Sequence, residues 1–143
     1  MDQTSLELLR QQVKQQELSR TLGSELLEVA PGKAVARLAT GPHLTNILGG
    51  IHGTAIFAVI DEAFQAACNA HGTVAVALNM ALTFHQAPAI GEVLTATAEE
   101  VHLGRRTATY IISVRDQQGR LIATCQALAY RKREQLPFLA EEK

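Results

Sequence analysis

The stretch GTAIFAVIDEAFQAACNAH, residues 53–71, constrains the fold more than any other part of this chain. Ala55 to Ile60 is an unbroken apolar run, and Ala63, Phe64, Ala66, Ala67 and Cys68 continue it beyond two acids. A segment so long and so apolar predicts one helix that must be buried, with Gly72 ending it. Downstream of Gly72 the chain reads as strand: VAVALNMALTF, a turn at APAIG, EVLTATAEEVHL, a break at Gly104, RRTATYIISVRD, a turn at QQG, then RLIATCQALAY. Upstream, ELLEVA and KAVARLAT alternate about Pro31-Gly32 as a hairpin does. An antiparallel sheet curled around a single buried helix satisfies this order and predicts an α+β fold.

Thr4 followed by Glu7 has the capping-box pattern of a helix start, and Leu6, Leu9, Val13 and Leu18 recur at roughly helical spacing up to Gly23. The expected organisation is therefore an N-terminal helix over residues 1–23, a single domain over 24–133 and a tail over 134–143. Gly41 to His52 carries Gly, Pro and Asn and is expected to be a loop, a length often kept for function.

Charge and composition exclude several classes. A formal net charge of −1 and a pI near 6.5 give no basic field to recruit nucleic acid or an anionic membrane. Arg131-Lys132-Arg133 is answered by Glu134 and reads as a solvated strand end. The longest apolar run stops at Asp61, so no membrane span is expected, and MDQTSLELLRQQ lacks the pattern of a signal peptide. Cys68 and Cys125 are isolated, which points to a reduced, cytoplasmic chain. His43, His52, His71, His85 and His102 form no ligand spacing, so no metal site is expected.

Asp61 is the anomaly in the buried helix, because a carboxylate without partners is costly to bury. On a helical wheel Thr54, Ala58, Asp61, Gln65 and Asn69 form one narrow stripe of small or polar residues. Asp61 therefore faces either water or polar company. At the helix start, Gly53 has a backbone N–H free for a ligand, and the helix dipole strengthens that donor. Such a donor can hold a carbonyl oxygen as it gains negative charge, while a carboxylate attacks the carbon or activates water against it. Eight residues separate Gly53 from Asp61, about 12 Å along one helix at about 1.5 Å per residue. If both serve one site, Asp61 must come from a second subunit whose helix runs antiparallel.

Asn46, His52-Gly53 and Asp61, in the spacing N-x5-H-G-x7-D, resemble the hotdog-fold acyl-CoA thioesterases of the phenylacetate-degradation type. The likeness extends through Phe84, Pro88, Gly91, Gly104-Arg105, Tyr110, Asp116, Gly119, Ala123 and Tyr130, over about residues 40–131. The resemblance implies a hotdog fold, a long central helix wrapped by a curved antiparallel sheet, assembled as a dimer and usually again as a homotetramer. It implies hydrolysis of acyl-CoA thioesters, with coenzyme A as part of the substrate and no separate cofactor; few aromatic residues and many Ala and Leu suit aryl or medium-chain acyl groups. Asp61 becomes nucleophile or general base and the Gly53 N–H the carbonyl-polarising donor, with His52 and Asn46 shaping the thioester end. Thr54 stands where the family often has a second glycine, which narrows the acyl pocket or adds a hydrogen bond. Arg105 and Arg106 are candidates for the phosphates of coenzyme A.

Two of these residues have plainer roles open to them: His52 can cap the helix by bonding backbone, and Asn46 can form an Asx turn. Two other functions compete. A hydratase or dehydratase of this fold usually carries a His-Phe-Pro or Asp-x5-His type of motif, which is absent here. A non-catalytic acyl-CoA-binding hotdog has no need of a carboxylate on the helix stripe.

Overall fold

In chain order the elements are α1 (Gln3–Gln15), α2 (Glu17–Leu22), β1 (Ser24–Ala30), β2 (Lys33–Ala39), α3 (Gly53–Asn69), β3 (Thr73–Phe84), β4 (Val93–Leu103), β5 (Thr107–Arg115), β6 (Leu121–Gln135) and α4 (Pro137–Ala140). This is a computed structural model, and it describes residues 1–140. The strands form one antiparallel sheet in the order β1-β2-β4-β5-β6-β3, with β1 and β3 at its edges.

The buried helix forms where its apolar run demands. Ala55, Ile56, Val59, Ile60, Ala63, Phe64, Ala66 and Ala67 of α3 are all buried. The strands answer with strict alternation: Ala34, Ala36 and Leu38 on β2, Leu94, Ala96 and Ala98 on β4, and Tyr110, Ile112 and Val114 on β5 point inward. So many inward alanines let the sheet curve closely around the helix. Phe64 meets Tyr110 edge-on, with ring centroids 5.4 Å apart, a contact worth about 0.5–1.5 kcal/mol beyond its buried area. The β1–β2 hairpin turns at Pro31-Gly32, where Gly32 has φ +76 and a side chain would be strained.

The N-terminal segment differs from its sequence reading in two ways. The capping box at Thr4 and Glu7 does not form; Asp2 caps α1 instead, its carboxylate accepting from Ser5 N–H at 2.8 Å. Asp caps as well as Thr and needs no acid three residues on, so the helix starts earlier. The single helix is also split at Gln16, whose ψ of 124 leaves the helical region. Gln16 then exchanges two side-chain amide bonds with Gln65 of α3, at 3.1 and 2.8 Å, a tertiary contact that offsets the break. α2 ends at Gly23 with φ +84.

β6 runs past the expected boundary at 133 to Gln135, because β3 supplies a pairing partner as far as Thr73. The last three residues of the predicted tail lie outside the described residues. Among those described, no helix is long and apolar enough to cross a membrane.

Candidate active site

The loop before α3 is built to deliver its N-terminus. Thr45 and Ile51 bridge, Asn46 N–H donates to the Gly50 carbonyl at 2.8 Å, and Gly49 N–H donates to the Asn46 carbonyl at 3.0 Å. The Asn46 side chain accepts from Leu48 N–H at 2.9 Å and Gly50 N–H at 3.2 Å, the Asx-turn role. His52 is the N-cap of α3: its Nδ1 accepts from Thr54 N–H at 3.0 Å. Both residues thus make the backbone bonds that the sequence had left open to them. In the neutral ring this bond puts the His52 proton on the exposed Nε2, which stays available to a ligand.

Gly53 follows as the first helical residue, and no acceptor within the helix can reach its N–H. The Phe84 ring lies against it: a Cβ placed on Gly53 would stand 3.3 Å from Phe84 Cζ. These two residues line one shallow hollow of about 260 Å3 with Ile51, Ile56 and Pro88. Backbone N–H, helix dipole and an apolar ring therefore converge at one spot.

Asp61 lies two turns further along α3, half-buried, and its carboxylate has no hydrogen-bond donor among the described residues. Burial raises its pKa above the ordinary aspartate value, and the charge of Glu62 raises it further. It opens into a groove of about 640 Å3 between α2 and α3, whose walls include Leu18, Leu22, Thr54, Phe57 and Ala58. Thr54 thus lines the Asp61 groove, while Gly53, its neighbour, lines the Phe84 hollow.

Glu62 is the functional neighbour that reasoning from sequence missed. It is 4% exposed and accepts from Ser19 Oγ at 2.7 Å and from Ser24 Oγ, tying α2 and β1 to α3 beside Asp61. Position 62 offered one signal, an acid on the apolar side of the wheel, which demands partners. A second, partly buried cluster joins His71 and Tyr110 to Glu100, both at 2.6 Å from Glu100 Oε2, beyond the C-terminal end of α3.

Arg105 and Arg106 sit at the β4–β5 turn, in a basic patch with Arg131, Lys132 and Arg133. Arg131 is fixed there by its guanidinium, which donates to the Gly104 carbonyl at 2.7 Å. The fold does not bring this patch to Gly53 within one chain. Phe84 pairs with Ala123 and Thr107 with Tyr130, so about seven residues of β6, roughly 23 Å, separate the two.

A six-stranded antiparallel sheet wrapped around one long helix is the hotdog fold. The chain belongs to the thioesterase superfamily, whose family model matches residues 48–123. A protein of Archaeoglobus fulgidus is 36% identical over 124 residues, covering 87% of this chain and 80% of its own. The acyl-coenzyme A thioesterase PaaI of Escherichia coli is 31% identical over 113 residues, 79% of this chain and 81% of its own. The solved structure of E. coli PaaI, from the phenylacetic acid degradation operon, superposes with a TM-score of 0.83 at 27% identity, covering 91% of this chain and 98% of that one. Membership places the protein among thioester-cleaving hydrolases.

Proposed function

We propose that this protein hydrolyses acyl-CoA thioesters, aryl or medium-chain, at a site shared by two subunits. The observation that carries this reading is the pair of half-sites on α3. The Gly53 N–H has no acceptor in its helix, Asp61 has no donor among the described residues, and about 12 Å of helix keeps them apart in one chain. An antiparallel copy of α3 unites them twice, once at each end of the contact.

In the general-base form, Asp61 takes a proton from water, and the water oxygen bonds to the thioester carbon. The carbonyl oxygen, now an oxyanion, accepts from the Gly53 N–H of the other subunit. The C–S bond then breaks, the proton held by Asp61 passes to the thiolate of coenzyme A, and the acid leaves with Asp61 restored as carboxylate. In the nucleophilic form, the Asp61 carboxylate itself bonds to the carbon, the C–S bond breaks to expel the thiolate of coenzyme A, and water then cleaves the mixed anhydride to release the acid and restore Asp61. His52 through Nε2 and Asn46 through its loop shape the thioester end, and Thr54 lines the acyl side. Arg105 and Arg106 are assigned to the phosphates of coenzyme A.

Self-association is supported by β3, an edge strand that leaves Val76, Leu78 and Phe84 largely open to solvent. The outer sheet face adds exposed Val101 and Ile111, which supports a second contact and hence a tetramer built from dimers. The E. coli relative supports a place in aromatic-acid degradation.

Asp61→Asn keeps the shape and removes the base or nucleophile. Turnover, followed as thiol release, is expected to fall by about 10²–10⁴ while substrate still binds. Mixing Asp61→Asn with Gly53→Val subunits, with exchange demonstrated, should restore part of the activity. Retained turnover in Asp61→Asn would refute the assignment, and absence of rescue would refute the shared site.

A further inference from the structure

The loop that delivers Gly53 ends in two apolar side chains held out in water. Ile47 is 102% exposed and Leu48 87%, yet their loop is pinned by the bonds of Asn46 and by the Thr45–Ile51 bridge. Burying two such side chains against an apolar recess would remove their apolar surface from water, which is favourable. The same chain carries a matching recess. The groove between α2 and α3 is walled by Leu18, Leu22, Phe57 and Ala58, with Asp61 at its floor, and Leu18 is 70% exposed along its rim. Its walls are fixed by the bonds from Glu62 to Ser19 and Ser24 and by the Gln16–Gln65 amide pair.

Symmetry relates the two features, provided the site is shared between subunits as proposed for catalysis. Setting Gly53 opposite Asp61 of an antiparallel helix places the two-fold axis beside Phe57. The loop enters α3 at Gly53, so on one copy it lies at the end that faces the other copy's α3 beyond Asp61. One turn beyond Asp61 is Gln65, whose amide bonds Gln16 at the start of α2. The loop and its tip therefore lie toward the end of the groove where α2 begins. A knob and a hole on one surface, each used twice, make a self-complementary contact.

We propose that the Ile47–Leu48 tip of one copy seats in the α2–α3 groove of the other and forms the end wall of its acyl site. These two side chains then set the length of acyl group accepted.

Cysteine cross-linking tests the contact without relying on turnover. Cys68 and Cys125 are buried, and Leu18 and Ile47 are exposed, so substitutions at 18 and 47 leave the core intact. Under mild oxidation the double variant L18C/I47C is expected to give a covalent dimer that neither single variant gives. A dimer from I47C alone would place the tips against each other and overturn the proposal. So would an uncross-linked L18C/I47C protein, whether it sediments as a dimer or as a monomer. Failure of the catalytic assignment reads separately, as full thiol release by Asp61→Asn in a protein that still cross-links.

The acyl role has its own readout. I47A/L48A opens the end wall, and one methylene in an apolar pocket is worth about 10–200-fold in discrimination. The ratio of kcat/KM for dodecanoyl-CoA over butanoyl-CoA should rise by about 10-fold or more. An unchanged ratio would remove these residues from the acyl site.

Discussion

Replacing Glu62 by alanine tests what holds the two helices together beside Asp61. The carboxylate is buried and accepts from Ser19 and Ser24. Hydrogen bonds to a charged group are worth about 1.5–3 kcal/mol each, so the gross loss is about 3–6 kcal/mol. Three effects reduce it. Ser19 can turn to Gln16 Oε1, which already stands 3.2 Å away, and half-buried Ser24 can take water. Removing the charge also ends its desolvation cost and its repulsion of Asp61. A net destabilisation of about 2–3 kcal/mol remains, which for a chain of this size lowers Tm by roughly 4–12 °C. Urea and thermal unfolding at fixed protein concentration measure it, since association would otherwise shift the midpoint. A double-mutant cycle with Ser24→Ala should return a coupling of about 0.5–3 kcal/mol. The pH profile supplies a second signature: without the neighbouring charge, the acid limb of kcat assigned to Asp61 moves to lower pH. A Glu62→Ala protein as stable as the parent, with no coupling to Ser24, would refute the reasoning.

Gly53→Val should fold, because Phe84 is half-exposed and can move, but should lose about 10²–10³ in turnover through a misplaced carbonyl; full activity would remove the oxyanion role. Burial pushes the Cys68 thiol up to about 12 and the Cys125 thiol up to about 11, so neither should react with an aromatic disulfide reagent at pH 8 until denaturant is added. Glu100 is the acid-sensitive lock. Burial raises its pKa, but hydrogen bonds from Tyr110 and His71, with the charges of His71 and Arg131, outweigh it and hold the carboxyl below its ordinary value. Its contribution is complete above the ordinary glutamate range and is lost as pH falls through that range toward the lower folded value. Tyr110→Phe removes one of those bonds, so acid unfolding should begin at higher pH.

Sequence carried the parts of this structure that repeat. The apolar run of α3 named the buried helix, and the alternation about Pro31-Gly32 with the turn residues further on named the strands; β2, β4 and β5 alternate cleanly, because burial on one side leaves no other register. The edge strand β3 alternates least, with most of its length exposed, and was still legible from its turns. The Gly53–Asp61 spacing was legible too, since it needs only the rise of one helix. The hidden features depend on residues far apart in the chain. Glu62 meets Ser19 and Ser24 about forty positions upstream, and Gln16 breaks its helix where Gln65 rewards it. No local pattern announces either. The Asp2 cap was missed for the opposite reason: Asp2 and Thr4 are both good local caps, so the local pattern does not separate them, and α1 starts at the earlier one.

The two acids of α3 meet opposite surroundings on one helix. They are neighbours in sequence, but a helix turns by about 100° per residue, which sends them to different company. Glu62 points toward α2 and β1, where two hydroxyls meet its charge. Asp61 points along the polar stripe, where the described residues offer it no donor and where Glu62 disfavours its ionised form. A group left so is costly unless something outside the chain answers it. The N-terminus of an antiparallel α3 would answer it, because its dipole and free N–H groups favour the carboxylate. Assembly would then do two things with one contact: complete the site by bringing Gly53 to Asp61, and supply the field that keeps Asp61 charged. That coupling would give an acid on the most apolar helix of the fold the partner its own chain withholds.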